Sequence, residues 1–330
     1  MLEEKILETI KKYNLLQEKD TVIVAVSGGP DSMCLLNSLV NLKEKLKLNK
    51  IAVAHVNHML REEAQEETEY VKKYCENKNI EIYIRYANIK EISENNKISE
   101  ETAGREERYK LFEEIATKIN ANKIAIAHNL NDNAETVLMH FIRGTGINGL
   151  TGIKPYRDGK YIRPLIECDR KEIEEYCKER KLNPRYDKSN LDNNYTRNKI
   201  RNLLIPELKE NYNPNIISGI NKLSRIVLKE EEYINKILLE TYNEILLQKE
   251  DNKITINLRK FNKLDEYIKE RLIIYIIAKL FGDARGIENI HVFDIVKLCE
   301  KNVGNKYLTP NKNLKIFVKS GEVSYEKLLK

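Results

Sequence analysis

The 330-residue chain contains no tryptophan and only five cysteines and seven prolines. No two of the cysteines form a C-x-x-C pair. A small, odd number of scattered cysteines indicates reduced thiols in a cytoplasm rather than a disulfide framework. Iron–sulfur chemistry is also disfavoured, because such clusters need several cysteine ligands. The cysteines are Cys34, Cys75, Cys168, Cys177 and Cys299.

The chain also lacks an apolar run long enough to span a bilayer, which takes about 20 residues. Its first residues include Glu3, Glu4 and Lys5, where a secretory signal peptide would need an apolar core. We therefore expect a cytoplasmic protein with no membrane partner.

The balance of charge differs between the two parts of the chain. Residues 1–150 carry 21 Lys and Arg against 24 Asp and Glu, whereas residues 151–330 carry 36 against 27. A basic second half favours a polyanionic partner such as a nucleic acid. A basic face that is merely solvated is the alternative reading of the same counts.

The first half alternates short apolar segments with helical patterns. Such alternation predicts an α/β fold with a doubly wound parallel sheet, in which ligands bind at the carboxyl ends of the strands. The predicted strands are 21–26, 51–56, 80–86 and 123–128, and the predicted helices are 32–46, 62–78, 99–120 and 131–143.

The second half is mostly helical in pattern, and the length of the chain fits two domains. We place a nucleotide-binding domain at residues 1–212 and a mostly helical accessory domain at residues 213–330. Asp169 is a predicted N-cap, and residues 183–195 form a predicted polar loop. The predicted helices are 170–181, 196–206, 216–248, 263–281 and 288–302, followed by a strand pair at 306–308 and 314–318.

A glycine-rich turn lies between the predicted strand 21–26 and the predicted helix 32–46. Its sequence is Ser27-Gly28-Gly29-Pro30-Asp31-Ser32. Backbone N–H groups and a helix N-terminus converge at such a turn, which favours phosphate binding. No lysine follows the glycines, so the turn is not a Walker loop. Asp31 lies where a carboxylate can hold Mg²⁺ against the phosphates.

Two histidines, His55 and His128, fall at predicted carboxyl ends of strands. His55 and His58 are three residues apart and could ligate a metal, but no third ligand lies at a suitable spacing. We favour the capping of backbone groups or the framing of a nucleotide.

Paired arginines provide further anion-binding candidates. Arg105 and Arg108 share one face of a predicted helix, as do Arg197 and Arg201. Two adjacent guanidinium groups suit the capture of a phosphate or a carboxylate. Pairing with neighbouring glutamates is the simpler alternative for Arg105 and Arg108.

Two carboxylates, Asp132 and Glu135, lie in the first turn of the predicted helix 131–143. Simple helix capping would explain them, because the helix dipole favours acidic residues there. The alternative is a site that holds Mg²⁺ or orients an incoming amine. After this helix, Arg143 and Gly144 open a G-x-G-x-x-G sequence that we interpret as a flexible loop beside the site, because no strand precedes it.

The 27–32 turn resembles the SGGxDS loop of the PP-loop pyrophosphatase superfamily, whose members cleave ATP to AMP and pyrophosphate. In addition, seven segments in order look like those of the tRNA(Ile)-lysidine synthetase family. The segments are Ser27–Ser32, His55–Arg61, Glu101–Tyr109, Ala127–Thr136, Arg143–Gly152, Arg163–Leu165 and Asp187–Pro206.

This resemblance implies a ligase that uses ATP and Mg²⁺. Lysine would be joined to C2 of the wobble cytidine, position 34, of a tRNA(Ile) with a CAU anticodon, through an adenylated tRNA. The implied partners are this tRNA, free L-lysine and, in some members, a second copy of the chain. Ser27–Ser32, His55 and His128 would bind the nucleotide, and Asp31 and Asp132 would hold Mg²⁺.

The resemblance also implies roles for the remaining candidates. Arg105, Arg108 and Arg201 would stabilise charge on the phosphates, and Asp132 would orient or deprotonate the lysine ammonium. Glu135, Arg143, Gly144 and Arg197 would contact lysine or tRNA. These residues are candidates to be located in the structure.

The sequence departs from the family pattern in two places. Asn131 stands where many members have the first of two aspartates, so acid chemistry there depends on Asp132. The chain ends near residue 330, whereas many members carry a further C-terminal domain, so we expect a short form or part of a longer protein.

Three other functions are compatible with part of the pattern. A PP-loop tRNA thiolase would need a reactive cysteine pair or an iron–sulfur cluster. A ligase for a small metabolite would not need the basic second half. A non-catalytic nucleotide sensor or RNA-binding module would not need Asp31, Asp132 and the arginines together.

Overall fold

The computed structural model describes residues 2–59, 63–185, 192–301 and 306–328. The chain divides into two compact units between Leu228 and Lys229. This division falls inside a long helix, after the predicted boundary at residue 212. Among the described residues, no helix is long and apolar enough to cross a membrane.

A six-stranded sheet forms the centre of the first unit, in the order β3-β2-β1-β4-β6-β5. All neighbouring strands are parallel except β5 and β6, which are antiparallel. The strands are β1 (Thr21–Ala25), β2 (Lys50–Asn57), β3 (Glu81–Tyr86), β4 (Lys123–Ala125), β5 (Tyr156–Arg157) and β6 (Tyr161–Ile162).

Helices cover both faces of this sheet. Val22 and Val24 of β1 belong to one hydrophobic cluster, whereas Ile23 packs with Leu111 and Phe112 in another. Successive strand residues point to opposite faces, so this division confirms the doubly wound arrangement. The helices are α1 (Leu2–Lys12), α2 (Pro30–Leu42), α3 (Glu63–Asn77), α4 (Ile89–Asn96), α5 (Glu100–Ile119), α6 (Leu130–Ile142), α7 (Ile147–Leu150), α8 (Arg170–Glu179), α9 (Thr196–Lys199) and α10 (Ile205–Asn211).

The fourth strand is shorter than the sequence predicts. It ends at Ala125 rather than at residue 128, because its neighbour β6 has only two residues. Ile126 still donates its N–H to the carbonyl of Ile162 over 2.9 Å, so contact with the neighbouring strand continues one residue beyond β4. Strands as short as β5 and β6 show no alternation that a sequence pattern could reveal.

The second unit combines helices with a five-stranded antiparallel sheet in the order β7-β8-β11-β10-β9. The predicted helices and the C-terminal strand pair are confirmed, except that the helix predicted over 216–248 ends at Ile245 and its last three residues belong to a strand. Three unexpected strands join the pair. The strands are β7 (Leu246–Glu250), β8 (Lys253–Asn257), β9 (Lys306–Asn311), β10 (Leu314–Lys319) and β11 (Glu322–Lys327). The helices are α11 (Ile216–Ile245), which runs across the division, α12 (Leu258–Asn262), α13 (Glu266–Phe281) and α14 (Asn289–Lys301).

Because the chain divides after Leu228, the basic residues of the second half are shared between the two units. Residues 151–228 carry 17 Lys and Arg against 11 Asp and Glu, and residues 229–330 carry 19 against 16. Most of the basic excess of the second half therefore belongs to the first unit, which also contains the glycine-rich turn.

Candidate active site

The glycine-rich turn joins β1 to α2 and is shaped by Ser32. Its hydroxyl accepts the N–H groups of Ser27 and Gly28, each over 3.2 Å, and donates to the carbonyl of Gly29 over 3.0 Å. Gly28 has a φ of +96°, a conformation that favours glycine. Pro30 begins the helix, where its missing N–H costs no hydrogen bond. The turn thus has the strand–glycine–helix geometry that favours an anion.

Asn129 links the turn to the start of α6. Its Nδ2 donates to Asp31 Oδ1 over 2.7 Å, and its Oδ1 accepts the N–H of Asp132 over 2.9 Å. Asp132 Oδ2 in turn accepts the N–H of Asn129 over 3.1 Å, which completes a capping box. One fully buried amide therefore holds two acidic residues from distant parts of the chain.

The charge of Asp31 is disfavoured in this position. Burial raises the pKa of Asp31 to about 6, and the negative charge of Asp132 acts in the same direction. The hydrogen bond from Asn129 and the charges of Arg170 and Arg201 oppose this rise only in part. A divalent cation would relieve the repulsion between the two carboxylates.

The donor set fits Mg²⁺ only if other ligands complete it. No group of three or more His, Cys, Asp or Glu side chains among the described residues could hold a metal ion. Mg²⁺ is commonly held by one or two carboxylates together with substrate phosphates and water. Asp31 and Asp132 match this incomplete set.

Glu135 is surrounded by three arginines. Its side chain is only 1% exposed, and both of its oxygens accept from Arg201, over 2.7 and 2.8 Å. Arg197 donates to it over 3.1 Å, and Arg170 lies 3.7 Å away. Arg201 and Arg170 also approach Asp132 Oδ1, at 3.2 and 3.5 Å. The cluster thus surrounds a buried carboxylate with cationic groups.

Burial disfavours the charged form of Arg201, but its ion pair with Glu135 and the charge of Asp132 outweigh this effect. The pKa of Arg201 is therefore raised. Arg201 lies in a π-helical turn, Ile200–Leu204, between α9 and α10, rather than in the continuous helix expected over 196–206. Pro206 has no N–H for the carbonyl of residue 202, which explains the altered hydrogen bonding. Such turns often occur at functional sites.

The family of the chain follows from comparison with known proteins. A family model described as a PP-loop domain matches residues 1–208. A tRNA(Ile)-lysidine synthase of Clostridioides difficile is 43% identical over 98% of this chain and 70% of its own length. The enzyme of that name from Clostridium acetobutylicum is 41% identical over 96% of this chain and 68% of its own length. The chain belongs to the tRNA(Ile)-lysidine synthase family.

A third relative in this family, from Clostridium perfringens, is 44% identical over 92% of this chain and 65% of its own length. Among solved structures, the U34-tRNA thiolase NcsA from Methanococcus maripaludis, determined with its [4Fe-4S] cluster, aligns with a TM-score of 0.55 and 19% identity. The alignment covers 68% of this chain and 78% of the thiolase. At that identity the likeness concerns the fold alone.

A second group of candidates gathers around His128. Its Nδ1 accepts a hydrogen bond from Arg163 Nε over 3.0 Å. Burial, together with the charges of Arg163, Arg197, Arg108 and Arg105, lowers the pKa of His128 to about 3. The charges of both arginines of α5 thus act on His128, although both side chains are exposed.

Some of the predicted residues are not brought to the carboxylates. The ring of His55 is 2% exposed, and its nitrogens lie 2.8 Å from the carbonyl of Val26 and 2.9 Å from Thr68 Oγ1. It therefore caps backbone in this structure. Arg143 and Gly144 follow the far end of α6, about 16 Å along the helix axis from Asp132. Both residues are exposed there.

Two residues of the site were missed from the sequence, Asn129 and Arg170. Asn129 immediately precedes α6, where an N-cap would have been the signal. Arg170 begins α8, and its N–H donates to Asn131 Oδ1 over 3.0 Å. Asn131 therefore anchors the start of the helix that carries Arg170. Residues 60, 61 and 186–191, part of the predicted blocks and of the polar loop, lie outside the described residues.

Proposed function

We propose that this protein ligates lysine to C2 of the wobble cytidine of a tRNA(Ile) with a CAU anticodon. Membership of the lysidine synthase family supports this reaction, as does the arrangement of the site. The observation that carries it is the joining of Asp31 and Asp132 through Asn129, directly beside the strand–glycine–helix turn. A phosphate site and a carboxylate for an amine are thus adjacent.

In the first step, the C2 oxygen of cytidine attacks the α-phosphorus of ATP. A bond forms between that oxygen and phosphorus, and pyrophosphate leaves. The N–H groups of Asp31 and Ser32 lie in the first turn of α2, where a helix leaves such donors without intrahelical acceptors. We assign them to the phosphates of the nucleotide, together with the other residues of the turn.

Mg²⁺ bound by Asp31 and Asp132 would neutralise charge on the phosphates as pyrophosphate departs. Arg201, held by both oxygens of Glu135, would provide fixed positive charge beside the same reacting groups. Arg105 and Arg108, which are exposed on α5, would add positive charge from the surface. Such preorganised charge stabilises a transition state more than flexible surface charge does, because it needs no rearrangement during the reaction.

In the second step, the ε-amine of lysine attacks C2, and AMP leaves with the former C2 oxygen. The ammonium must lose a proton before it attacks. Asp132 is the carboxylate that we assign to this amine, with Glu135 and Arg197 beside it. Glu135 is held by the arginines, so its role is to position them and to keep the charge at Asp132 in place.

The proposal extends to the partners. A basic excess in residues 151–228 lies on the unit that carries the site, which favours the approach of an RNA backbone. Arg143 and Gly144 stay candidates for tRNA contact at the distal end of α6. A homodimer in the cytoplasm is part of the proposal, and light scattering of the purified protein would test the dimer.

One experiment tests the reaction directly. The protein is incubated with ATP, Mg²⁺, labelled lysine and isoleucine tRNA transcripts that carry either a CAU or a GAU anticodon. Lysine should enter only the CAU transcript, and only with ATP present. Label in neither transcript would overturn the proposal and favour a ligase acting on a small metabolite.

A further inference from the structure

Arg163 is a buried arginine that binds a histidine instead of a carboxylate. It follows β6 directly and is 6% exposed. Its Nε donates to His128 Nδ1 over 3.0 Å, and its Nη1 donates to the carbonyl of Lys154 over 2.7 Å. Among the described residues, no carboxylate forms an ion pair with Arg163. A buried guanidinium without an acidic partner is costly, which indicates a functional reason for its position.

The hydrogen bond fixes the tautomer of His128. A guanidinium can only donate, so Nδ1 must be the acceptor and the ring proton must lie on Nε2. This direction of the bond follows from chemistry, because arginine carries no acceptor. A protonated, cationic His128 would lose the bond, since Nδ1–H would then face an N–H donor.

The surroundings of the ring reinforce this state. Besides burial, the charges of Arg163 after β6, Arg197 from α9, and Arg108 and Arg105 from α5 lower the pKa of the ring. All four are cationic, so they oppose a positive charge on the imidazole. The pKa of Arg163 is itself lowered to about 10, chiefly by burial; the charges of Arg157 and Arg105 act in the same direction, whereas Tyr109 and Asp158 oppose the decrease.

The parallel pairing of β4 and β6 explains how the two side chains meet. Ile124 pairs with Tyr161, and Ala125 pairs with Ile162. The carboxyl ends of parallel strands lie at one edge of a sheet, so the chain segments that follow them run side by side. His128 is three residues beyond β4 and Arg163 is one residue beyond β6. His128 remains partly exposed at this edge.

We propose that Arg163 is a positioning residue that keeps His128 neutral, with its Nε2–H as a fixed hydrogen-bond donor to a phosphate oxygen of the nucleotide. His128 then acts as a neutral donor at every working pH and not as a general base or acid. The assignment of the phosphate rests on the proposed function. The protonation state and its dependence on Arg163 do not, because they are properties of the free protein.

The test is NMR of the full chain labelled with ¹⁵N-histidine, recorded between pH 5 and pH 8 without substrates. His128 should show an unprotonated Nδ1 and a protonated Nε2 throughout. His140 provides an internal reference, because its Nδ1 lies 2.8 Å from the carbonyl of Gly149 and must carry the proton. A His128 that titrates in this range, or that is protonated on Nδ1, would overturn the proposal.

Variants separate positioning from general structural support. In Arg163→Met, His128 should populate both tautomers, and its pKa should rise by about 2 as one donor and one charge are lost. Arg163→Lys should restore the tautomer in part, because an ammonium also donates. Arg157→Met is the matched control: Arg157 stacks on Tyr109 and Tyr161 in the same region, at 4.9 and 4.6 Å from their ring centroids.

The variants also have a kinetic readout. The rate of ATP-dependent adenylation by Arg163→Met should fall severalfold at pH 8, where part of the neutral His128 carries its proton on Nδ1 and presents a bare Nε2 to the phosphate. The loss should be smaller at pH 5, where protonation of the ring restores Nε2–H. Arg157→Met should keep the flat profile of the natural chain. An unchanged tautomer in both Arg163 variants would contradict the proposal whether or not lysidine is formed. If the NMR results are as expected but neither the natural chain nor any variant adenylates tRNA, the proposed function is wrong. The role of Arg163 in fixing the protonation state of His128 then still stands.

Discussion

Asn129 Nδ2 donates a hydrogen bond to Asp31 Oδ1 across 2.7 Å, although the two residues are 98 positions apart in the chain. The same side chain caps α6 through the N–H of Asp132. Asn129 therefore fixes the distance between the glycine-rich turn and Asp132 at the start of α6. Local helix stability and the geometry of the site depend on one amide.

Replacement of Asn129 by alanine should therefore have two effects. Loss of the cap should lower the free energy of unfolding by about 1 kcal/mol. Loss of the bond to Asp31 should lower the rate of tRNA adenylation by at least tenfold. Asn88→Ala is the matched control, because Asn88 caps α4 by accepting the N–H of Glu91. It should lose stability without losing the adenylation rate; equal rates in both variants would contradict the assignment.

Asp132→Asn should separate the two chemical steps. The amide keeps an oxygen for the capping box but carries no charge for the lysine ammonium. We expect adenylated tRNA to accumulate, at a reduced rate because Asp132 also contributes to the Mg²⁺ site, while lysidine is not formed, as measured by chromatography of the digested tRNA. An unchanged yield of lysidine would exclude the role of Asp132 toward lysine. Loss of adenylation as well would assign Asp132 to the phosphates instead.

Glu135→Gln should destabilise the protein and inactivate it. The substitution leaves Arg170, Arg197 and Arg201 without their shared buried carboxylate, which costs about 3 kcal/mol in comparable buried pairs. Urea unfolding measures the loss, and lysidine formation measures the activity. Glu231→Gln is the control: Glu231 is buried in the second unit and pairs with Arg271. That variant should be destabilised while each folded molecule keeps its activity.

Asp31→Asn should stabilise the metal-free protein, and the gain in its free energy of unfolding should increase with pH. Burial raises the pKa of Asp31 to about 6, so ionisation of this group opposes folding above the pKa of an unfolded aspartate. The stability associated with the neutral acid is present below pH ~4 and is lost by about pH 6. The variant keeps that stability, so its free energy of unfolding should exceed that of the natural chain by about 2 kcal/mol at pH 7.5.

The gain from Asp31→Asn should be about half as large at pH 5, because the folded-state carboxyl is then mostly protonated. Urea unfolding in EDTA at both pH values measures it. Asp251→Asn, at an exposed turn, should show no such dependence. A loss of stability at pH 7.5 would contradict the burial of an unfavourable charge at Asp31. The same variant should lose ATP-dependent activity.

Local sequence patterns determined much of the fold. The apolar run of β1, the glycine turn and α2 follow one another in the predicted order, because each depends on neighbours within a few residues. The N-cap at Asp169 is likewise present, where Lys171 donates its N–H to Asp169 Oδ1 over 2.9 Å. The π-helical turn at Ile200–Leu204 and the strands β7, β8 and β11 were not foreseen. The three strands depend on pairing with partners distant in the chain. The π-helical turn depends on Pro206, whose missing N–H does not alter the spacing of apolar residues on which the helix prediction was based.

The sequence by itself also supplied the reactive groups: Asp31, Asp132, His128 and the arginine pairs. It did not show which of them meet. The sheet order, which places β4 between β1 and β6, decides that Asn129 reaches Asp31 and that Arg163 reaches His128. Contacts between residues so far apart arise from strand pairing and burial across the whole sheet, and only the tertiary structure fixes these. The protonation state of His128 also depends on tertiary structure, because the cations that act on it come from three separate segments.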